Sequence, residues 1–482
     1  MTSNAQLGII HTSAPQTTKR DVDGAFWNVW RNNYIRLNLI GNYILQNKLL
    51  VFRLTNLLKN YKYYGHLDPF KYNITVKVYI QNESVEQYLS LRSNAIVTAM
   101  SFYGSIPIDD RYFSETDNLA HVYFDMYHGQ LYSLTLPCSL ETLVFGDAFQ
   151  QPVVALPENL RTLHFGDSYR CSLSADSLPQ SLTSLKMSQN EHQRLAGGLF
   201  PDSIRELWVS GTLCPETQFP ASLETLYIHD LNGDFTKSHF SKATQLKKLV
   251  FTSSCVSRIG EDTLPTSLTE IDCDEHLVSF SPGCLPDSLK VLKLNNKTYP
   301  EILTPGFIPD FSENVEIACI LLNISRYLIP DSVTILHIDC IYEPSGCLIA
   351  PFLPSSITKL TYHLTDDYTL PANFFPDSIT DLCLVGYYKA SVKGLIPDSV
   401  ETLIIDCDFF SPILPNQLPD SIQQIEFRST DRNPISQSIL PINLKSLYYT
   451  PYTNLIYPFR NSIQLIPTSG YFAKPKTKHQ LY

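Results

Sequence analysis

Several features are missing from this chain of 482 residues, and each absence narrows the reading. It contains no run of 18 apolar residues, and its opening, MTSNAQLGIIHTSAPQTTKRD, has no apolar core of the kind that directs secretion. A membrane-spanning helix and an exported protein are therefore not expected. Cysteine is sparse and shows no pairing pattern: there are eleven, none before Cys138, and no C-x-x-C. An odd count without close pairs is neither a disulfide framework nor a zinc ribbon. It fits reduced thiols in a cytosolic or nuclear setting, and sequons such as the one at Asn73 are expected by chance in an Asn-rich chain.

The motifs of common chemistry are also missing. There is no Gly-rich phosphate loop, no H-E-x-x-H, no G-x-S-x-G and no Cys/His set at zinc spacing. The one cluster resembling a ligand set, Cys273–His276 (CDEH), has adjacent side chains that cannot converge if Cys273 points inward. No catalytic, cofactor-binding or metal-binding residue is assigned, and an enzyme is not expected. Charge is low and uneven: 17% of residues are charged and the net charge is −11. Residues 1–80 hold 10 Lys/Arg against 3 Asp/Glu, which leaves −18 for the remainder. A basic end on an acidic body reads first as self-complementarity and second as a docking site for an acidic partner. Nucleic acid is not an expected partner, because its phosphates are repelled by the acidic body.

What the sequence does contain is one phrase, written many times. LPDSLKVLKL (Leu285–Leu294) returns as IPDSVTILHI (Ile329–Ile338), and the general form is apolar-Pro-x-Ser/Asn-apolar-x-x-apolar-x-apolar. Thirteen copies start at Leu136, Leu156, Leu178, Phe200, Phe219, Leu264, Leu285, Ile329, Leu353, Phe375, Ile396, Leu418 and Leu440. Two degenerate copies, Thr244–Phe251 and Ile308–Ile317, fill the double-length gaps, and Ile96–Phe102 and Asn118–Phe124 read as worn copies before the first. The mean spacing is about 22 residues, within the range of solenoid repeats.

We number each copy from the apolar residue after the Ser or Asn, taken as position 0. Positions 3 and 5 then lie on one face of a short strand, with positions 2, 4 and 6 on the other. The Pro fixes a corner, and residues such as Asp287 and Ser288 are expected to bond nearby backbone amides there. The other dozen residues of each copy are too few for a helix and two loops, so extended or single-turn returns are expected. One copy is too small to fold alone, and stability must come from stacking.

The spacing and the L-P-x-S-L-x-x-L-x-L phrase resemble the FNIP repeats of social-amoeba and giant-virus proteins, relatives of leucine-rich repeats. The name-giving element appears in altered form at Phe149–Val153 (FQQPV), Phe409–Ile413 (FFSPI) and Arg432–Ile435 (RNPI), and PGCLPDSL (Pro282–Leu289) fits the lead-in. The resemblance covers about residues 95–450 and implies a mainly β, leucine-rich-repeat-like solenoid. The similar bacterial effector repeats often carry a ubiquitin-ligase domain, for which no segment remains here.

Residues 1–22 read as a disordered polar segment and 23–66 as an α-helical cap, with 67–455 forming the solenoid and 456–482 a terminal cap and tail. The helical reading rests on Phe26, Trp27, Trp30, Tyr34, Leu37, Ile40, Ile44, Leu49 and Phe52, which recur at three and four. Family members often begin with a similar W-R-N-x-Y-x-R segment, here Trp30 to Arg36. Such a cap shields the first repeat. An F-box-like hook joining a ubiquitin-ligase scaffold is the second reading of the same segment. Tyr72–Ile80 alternates like a strand, and Tyr457–Ile466 reads as the last turn.

Function is expected on the open face, where positions 2, 4 and 6 vary from copy to copy while the inward positions do not. Trp208 and Tyr227 fall on consecutive strands at position 4, as a binding hot spot would. His337, Asp339 and His363 should also lie close together on this face. Together these five are the candidate partner-binding residues of a non-catalytic protein-interaction scaffold, with a substrate adaptor of a ubiquitin ligase as the alternative.

Overall fold

The computed structural model describes residues 48–468, apart from 65–66, 82, 84, 91–95, 106–107, 109, 114–117, 128–135, 154–155, 188–189, 191, 253–257, 274–278, 282, 295–307, 311–313, 318–328, 339–352, 365–369, 390, 410–411 and 429–433. The expected disordered segment 1–22, most of the cap and the tail lie outside these residues. Twenty strands follow one another in sequence, each parallel to the next. They are Leu49–Arg53, Thr75–Ile80, Ala99–Gly104, His121–Tyr127, Thr142–Phe145, Thr162–His164 and Ser184–Lys186, then Glu206–Leu213, Thr225–Asn232, Lys248–Phe251, Glu270–Cys273, Val291–Leu294 and Asn314–Ile317. Ile335–Ile338, Lys359–Leu364, Asp381–Tyr388, Thr402–Phe409, Gln424–Phe427, Ser446–Tyr449 and Gln464–Pro467 complete the ladder. Arg194–Leu195 pairs beside Thr212–Leu213 and brings the sheet to 21 strands.

The repeat phrase accounts for this ladder. Position 3 runs in unbroken register through Leu143, Leu163, Leu185, Leu207, Leu226, Leu249, Ile271 and Leu292, every one fully buried. Position 0 forms a second buried column, from Leu140 and Leu160 to Val400 and Ile422. At position 5 the early rungs stack aromatic rings: Phe102, Phe124, Phe145 and Phe165 follow at centroid separations of 5.2, 5.7 and 5.6 Å. Later rungs mix aromatic residues such as Phe251, Tyr362 and Phe427 with smaller groups there, including Cys273, which is buried as a free thiol. A buried sulfur suits an inward position because it behaves as a small apolar group.

The serine of the phrase does something the sequence reading did not expect. Its hydroxyl does not serve a nearby amide but donates to the position-0 carbonyl of the preceding rung. Ser181 reaches Leu160 O, Ser203 reaches Leu182 O, Ser267 reaches Leu246 O and Ser288 reaches Leu268 O, at 2.7 to 2.8 Å. Ser356, Ser378, Ser399 and Ser421 repeat the contact at 2.7 Å onto Val333, Ile357, Ile379 and Val400. Where the phrase has Asn159, its Nδ2 donates to Cys138 O at 2.9 Å. One residue on, each position-1 carbonyl accepts two amides from the next rung, as Glu224 O does from Lys247 N and Lys248 N. The corner is thus tied between rungs as well as within one, where the position-0 amide donates to the Pro carbonyl, as Leu289 N does to Pro286 O at 3.0 Å.

Returns are short, as the repeat length requires. They contain 3-10 turns at Ala175–Ser177 and Gln437–Ile439 and small parallel pairs, Arg258–Ile259 with Ser279–Phe280 and Ile435–Ser436 with Leu455–Ile456. Amide side chains hold this outer edge. Gln150 Nε2 donates to Ser168 O, Asn190 Nδ2 donates to Arg170 O, and the buried Gln193 accepts from Leu173 N at 2.8 Å. The described α-helices lie before the first copies of the phrase: α1 (Leu54–Tyr64), α2 (Pro69–Tyr72) and α3 (Val85–Leu89). Helix α1 buries Leu54 and Leu57 against the first rungs.

The N-terminal periodicity needs one correction. Leu49 and Phe52, read as part of a helix, belong to the strand Leu49–Arg53, so the sheet begins inside the expected cap. The run LLVFR is apolar on both faces, so three-four spacing and alternation fit it equally. Its pairing with Thr75–Ile80 decides the outcome.

Candidate functional site

All-parallel sheets are usually covered on both faces. Here burial alternates along the rungs, with inward residues buried and outward ones half-buried, as in Thr225–Asn232 and Asp381–Tyr388. Among the described residues one face of the ladder is therefore half-exposed. Position 4 forms a row across it: Val144, His164, Lys186, Trp208, Tyr227, Val250, Asp272 and Lys293, paired in that order.

Trp208 and Tyr227 meet as the register expects. Their rings stack at 4.2 Å between centroids with 3° between planes, and both residues are half-buried. His164 stands edge-on to Trp208 at 5.8 Å, reaching past the intervening Lys186. Lys186 leaves the row because its Nζ pairs with Asp167 Oδ1 at 3.3 Å. Burial lowers the His164 imidazole to about 4, helped by the positive charge of Lys186, so it is neutral near pH 7. The Tyr227 phenol is raised by burial and then by the carboxylates Glu206, Glu270 and Asp272. This patch is aromatic, neutral at its centre and edged by carboxylates. It can stack on and hydrogen-bond a partner, but it presents no activated nucleophile.

Strand length marks the same place. Glu206–Leu213 and Thr225–Asn232 are eight residues long, matched only by Asp381–Tyr388 and Thr402–Phe409 among the described strands. Gly211 permits the extension: its φ is +124°, and a Cβ there would lie 2.2 Å from Gln193 O. The same bend removes Ser210 from the open face, where position 6 should have put it. Ser210 is buried, and its hydroxyl accepts from Asn190 N at 3.0 Å.

The second candidate group is only partly seen. His337 pairs with Thr361, and His363 pairs with Val385 on the following rung, both half-buried. The His363 imidazole lies against Gly386, where a Cβ would stand 2.8 Å from Nε2. Asp339 lies outside the described residues, as do Asp274, Glu275 and His276 of the CDEH cluster. Among the described residues no three His, Cys, Asp or Glu side chains could hold a metal ion together.

Sequence reasoning did not anticipate a charged group further along. Arg428 grips both oxygens of Glu426, at 2.7 Å from Nε and 3.1 Å from Nη2. Beside it burial holds the Asp406 carboxyl above its ordinary range and pushes the Cys383 thiol up to about 11. A thiol so protonated is a poor nucleophile. All four stand at positions 4 and 6, so the repeat register was the available signal.

The FNIP Repeat family model matches residues 153–190, 279–319 and 387–430. No curated protein sequence matches the chain with significance. Among solved structures, CroV588, described as a novel circular LRR protein, is 18% identical, with 82% of this chain and 76% of that chain covered and a TM-score of 0.43. YopM from Yersinia enterocolitica WA-314 is 17% identical, with 82% and 85% covered and a TM-score of 0.42. Neither superposition fixes the architecture; the unbroken strand ladder does. The matched segments are FNIP repeats, and the phrase, the spacing and the strand ladder agree that the described chain is a parallel β-solenoid of such repeating units.

Proposed function

We propose that this protein is a non-catalytic scaffold that binds a protein partner on the open sheet face, with Trp208 and Tyr227 as the anchor. The single observation behind this reading is the parallel stack of two large aromatic side chains on consecutive rungs, held by register and left half-exposed. Rigid display favours binding because the strands are already ordered, so little conformational entropy is lost on docking. Aromatic residues with their polar ends at the surface supply most of the energy in such contacts. His337 and His363 serve as a secondary contact group on the same face, and Asp339, outside the described residues, is assigned to it from the repeat register alone. A cytosolic setting suits the seven described cysteines, all of them free thiols. Among the described residues no helix is long and apolar enough to cross a membrane.

Affinity purification of the full chain with mass spectrometry tests the reading. Trp208→Ala and Tyr227→Ala should each remove the same partner by at least tenfold, about 1.4 kcal/mol, while the circular dichroism spectrum stays unchanged. A partner list identical to that of the unaltered protein refutes it.

A further inference from the structure

The open face carries a second aromatic group four to six rungs before Trp208, near the basic end of the chain. Register places Arg53, Tyr79, Ser101 and Tyr123 in one row, with Val51, Lys77, Ala99 and His121 in the row beside it. Ser101 is the small residue between two tyrosines, and it leaves a notch between their rings. The Lys77 ammonium lies 3.8 Å from the Tyr123 ring centroid and 5.4 Å from that of Tyr79, between the rings that flank Ser101. Tyr103 stands edge-on to Tyr79 at 5.2 Å.

Two polar atoms of this notch are buried without a hydrogen-bond partner: Ser101 Oγ, in a residue with no exposed surface, and His121 Nδ1. Buried polar groups are nearly always paired, and a hydroxyl left alone destabilises the fold. An unmet donor beside a fixed ammonium suits an anionic oxygen. Among the described side chains in these two rows, the charged ones are Arg53 and Lys77, both cationic; the Glu141 carboxylate of the next rung acts on His121, and the chain beyond residue 80 is net −18. Leu49 and Val51, 59% and 47% exposed on the same face, offer apolar contact beside the cations.

We infer that this end of the open face docks an acidic peptide segment of a protein partner, one carboxylate of which is received by Lys77 Nζ and the Ser101 hydroxyl. A nucleic acid fits less well. It carries a phosphate at every residue and meets the acidic body beyond the notch, whereas a peptide can place one carboxylate among apolar neighbours.

The test uses fluorescence anisotropy on the full chain. Three labelled probes of equal length are compared: a peptide alternating Glu and Leu, its twin alternating Lys and Leu, and oligouridine. The Glu–Leu peptide should bind best. Lys77→Met and Ser101→Ala should each weaken it about tenfold by removing a charge-assisted hydrogen bond, and Ile442→Ala, exposed near the other end of the ladder, should leave it unchanged. Ser101→Ala should also raise the melting temperature, since it deletes an unpaired buried hydroxyl. The inference is overturned if the Glu–Leu peptide does not bind, if either other probe binds more tightly, or if Lys77→Met retains full affinity. A lower melting temperature for Ser101→Ala overturns it as well, because the hydroxyl would then already have a partner within the fold.

Discussion

Removing the serine ties between rungs should unlock the solenoid by a predictable amount. Ser356, Ser378, Ser399 and Ser421 lie on four consecutive rungs, each donating at 2.7 Å to a different carbonyl. Replacing one by Ala leaves a partly buried carbonyl without this donor, at a cost of about 1 kcal/mol. The four bonds share no partner, so their effects should add, and the quadruple variant should lose about 4 kcal/mol. Urea unfolding reads the total. Hydrogen exchange should localise the loss to the strands between Lys359 and Phe427, because a solenoid loosens where its neighbour contacts weaken. A quadruple Ser→Asn variant should recover only part of the stability, since Asn159 donates to a different acceptor, Cys138 O, two residues before the position-0 carbonyl. If the quadruple Ala variant unfolds within 0.5 kcal/mol of the parent, the ties contribute only about a tenth of a kcal/mol each and the reasoning fails.

Three further outcomes follow from the same contacts. Leu163→Ala, in the fully buried position-3 column, should cost about 2–5 kcal/mol in urea unfolding, and Leu163→Met much less. Gly211→Ala should destabilise by about 1–3 kcal/mol, because φ is +124° and the new Cβ would meet Gln193 O at 2.2 Å; a thermal melt that matches the parent refutes the strain. The His164 imidazole is lowered from 6.5 to about 4 in the fold, so the unfolded chain binds the extra proton between those values. Stability should therefore fall as pH drops through that window, by about 1–3 kcal/mol, and His164→Gln should flatten the slope.

Periodicity carried most of the fold into view. The apolar columns through Leu143 and Leu140 follow from spacing alone, because a short strand can bury only alternate residues. Register then placed Trp208 beside Tyr227 before any coordinates were needed. What escaped depends on contacts one repeat apart in space but about 20 residues apart in sequence. Ser288 reads as a local turn former until Leu268 O is seen beside it. The amide ties of Gln150, Asn190 and Gln193 are hidden for the same reason. Ser210 was misplaced because the conformation at Gly211 breaks the alternation on which position 6 relied. The strand at Leu49 was masked by a sequence apolar on both sides, whose partner lies beyond two intervening helices.

The serine donors all point the same way, each toward the rung before it. A unit spliced in anywhere along the array finds a waiting acceptor behind it and supplies one to whatever follows. A unit deleted cleanly leaves donor and acceptor matched across the junction. Gene segments encoding one turn can thus be gained or lost without a stranded polar group, so the number of turns is free to drift over evolutionary time while the join between turns is not.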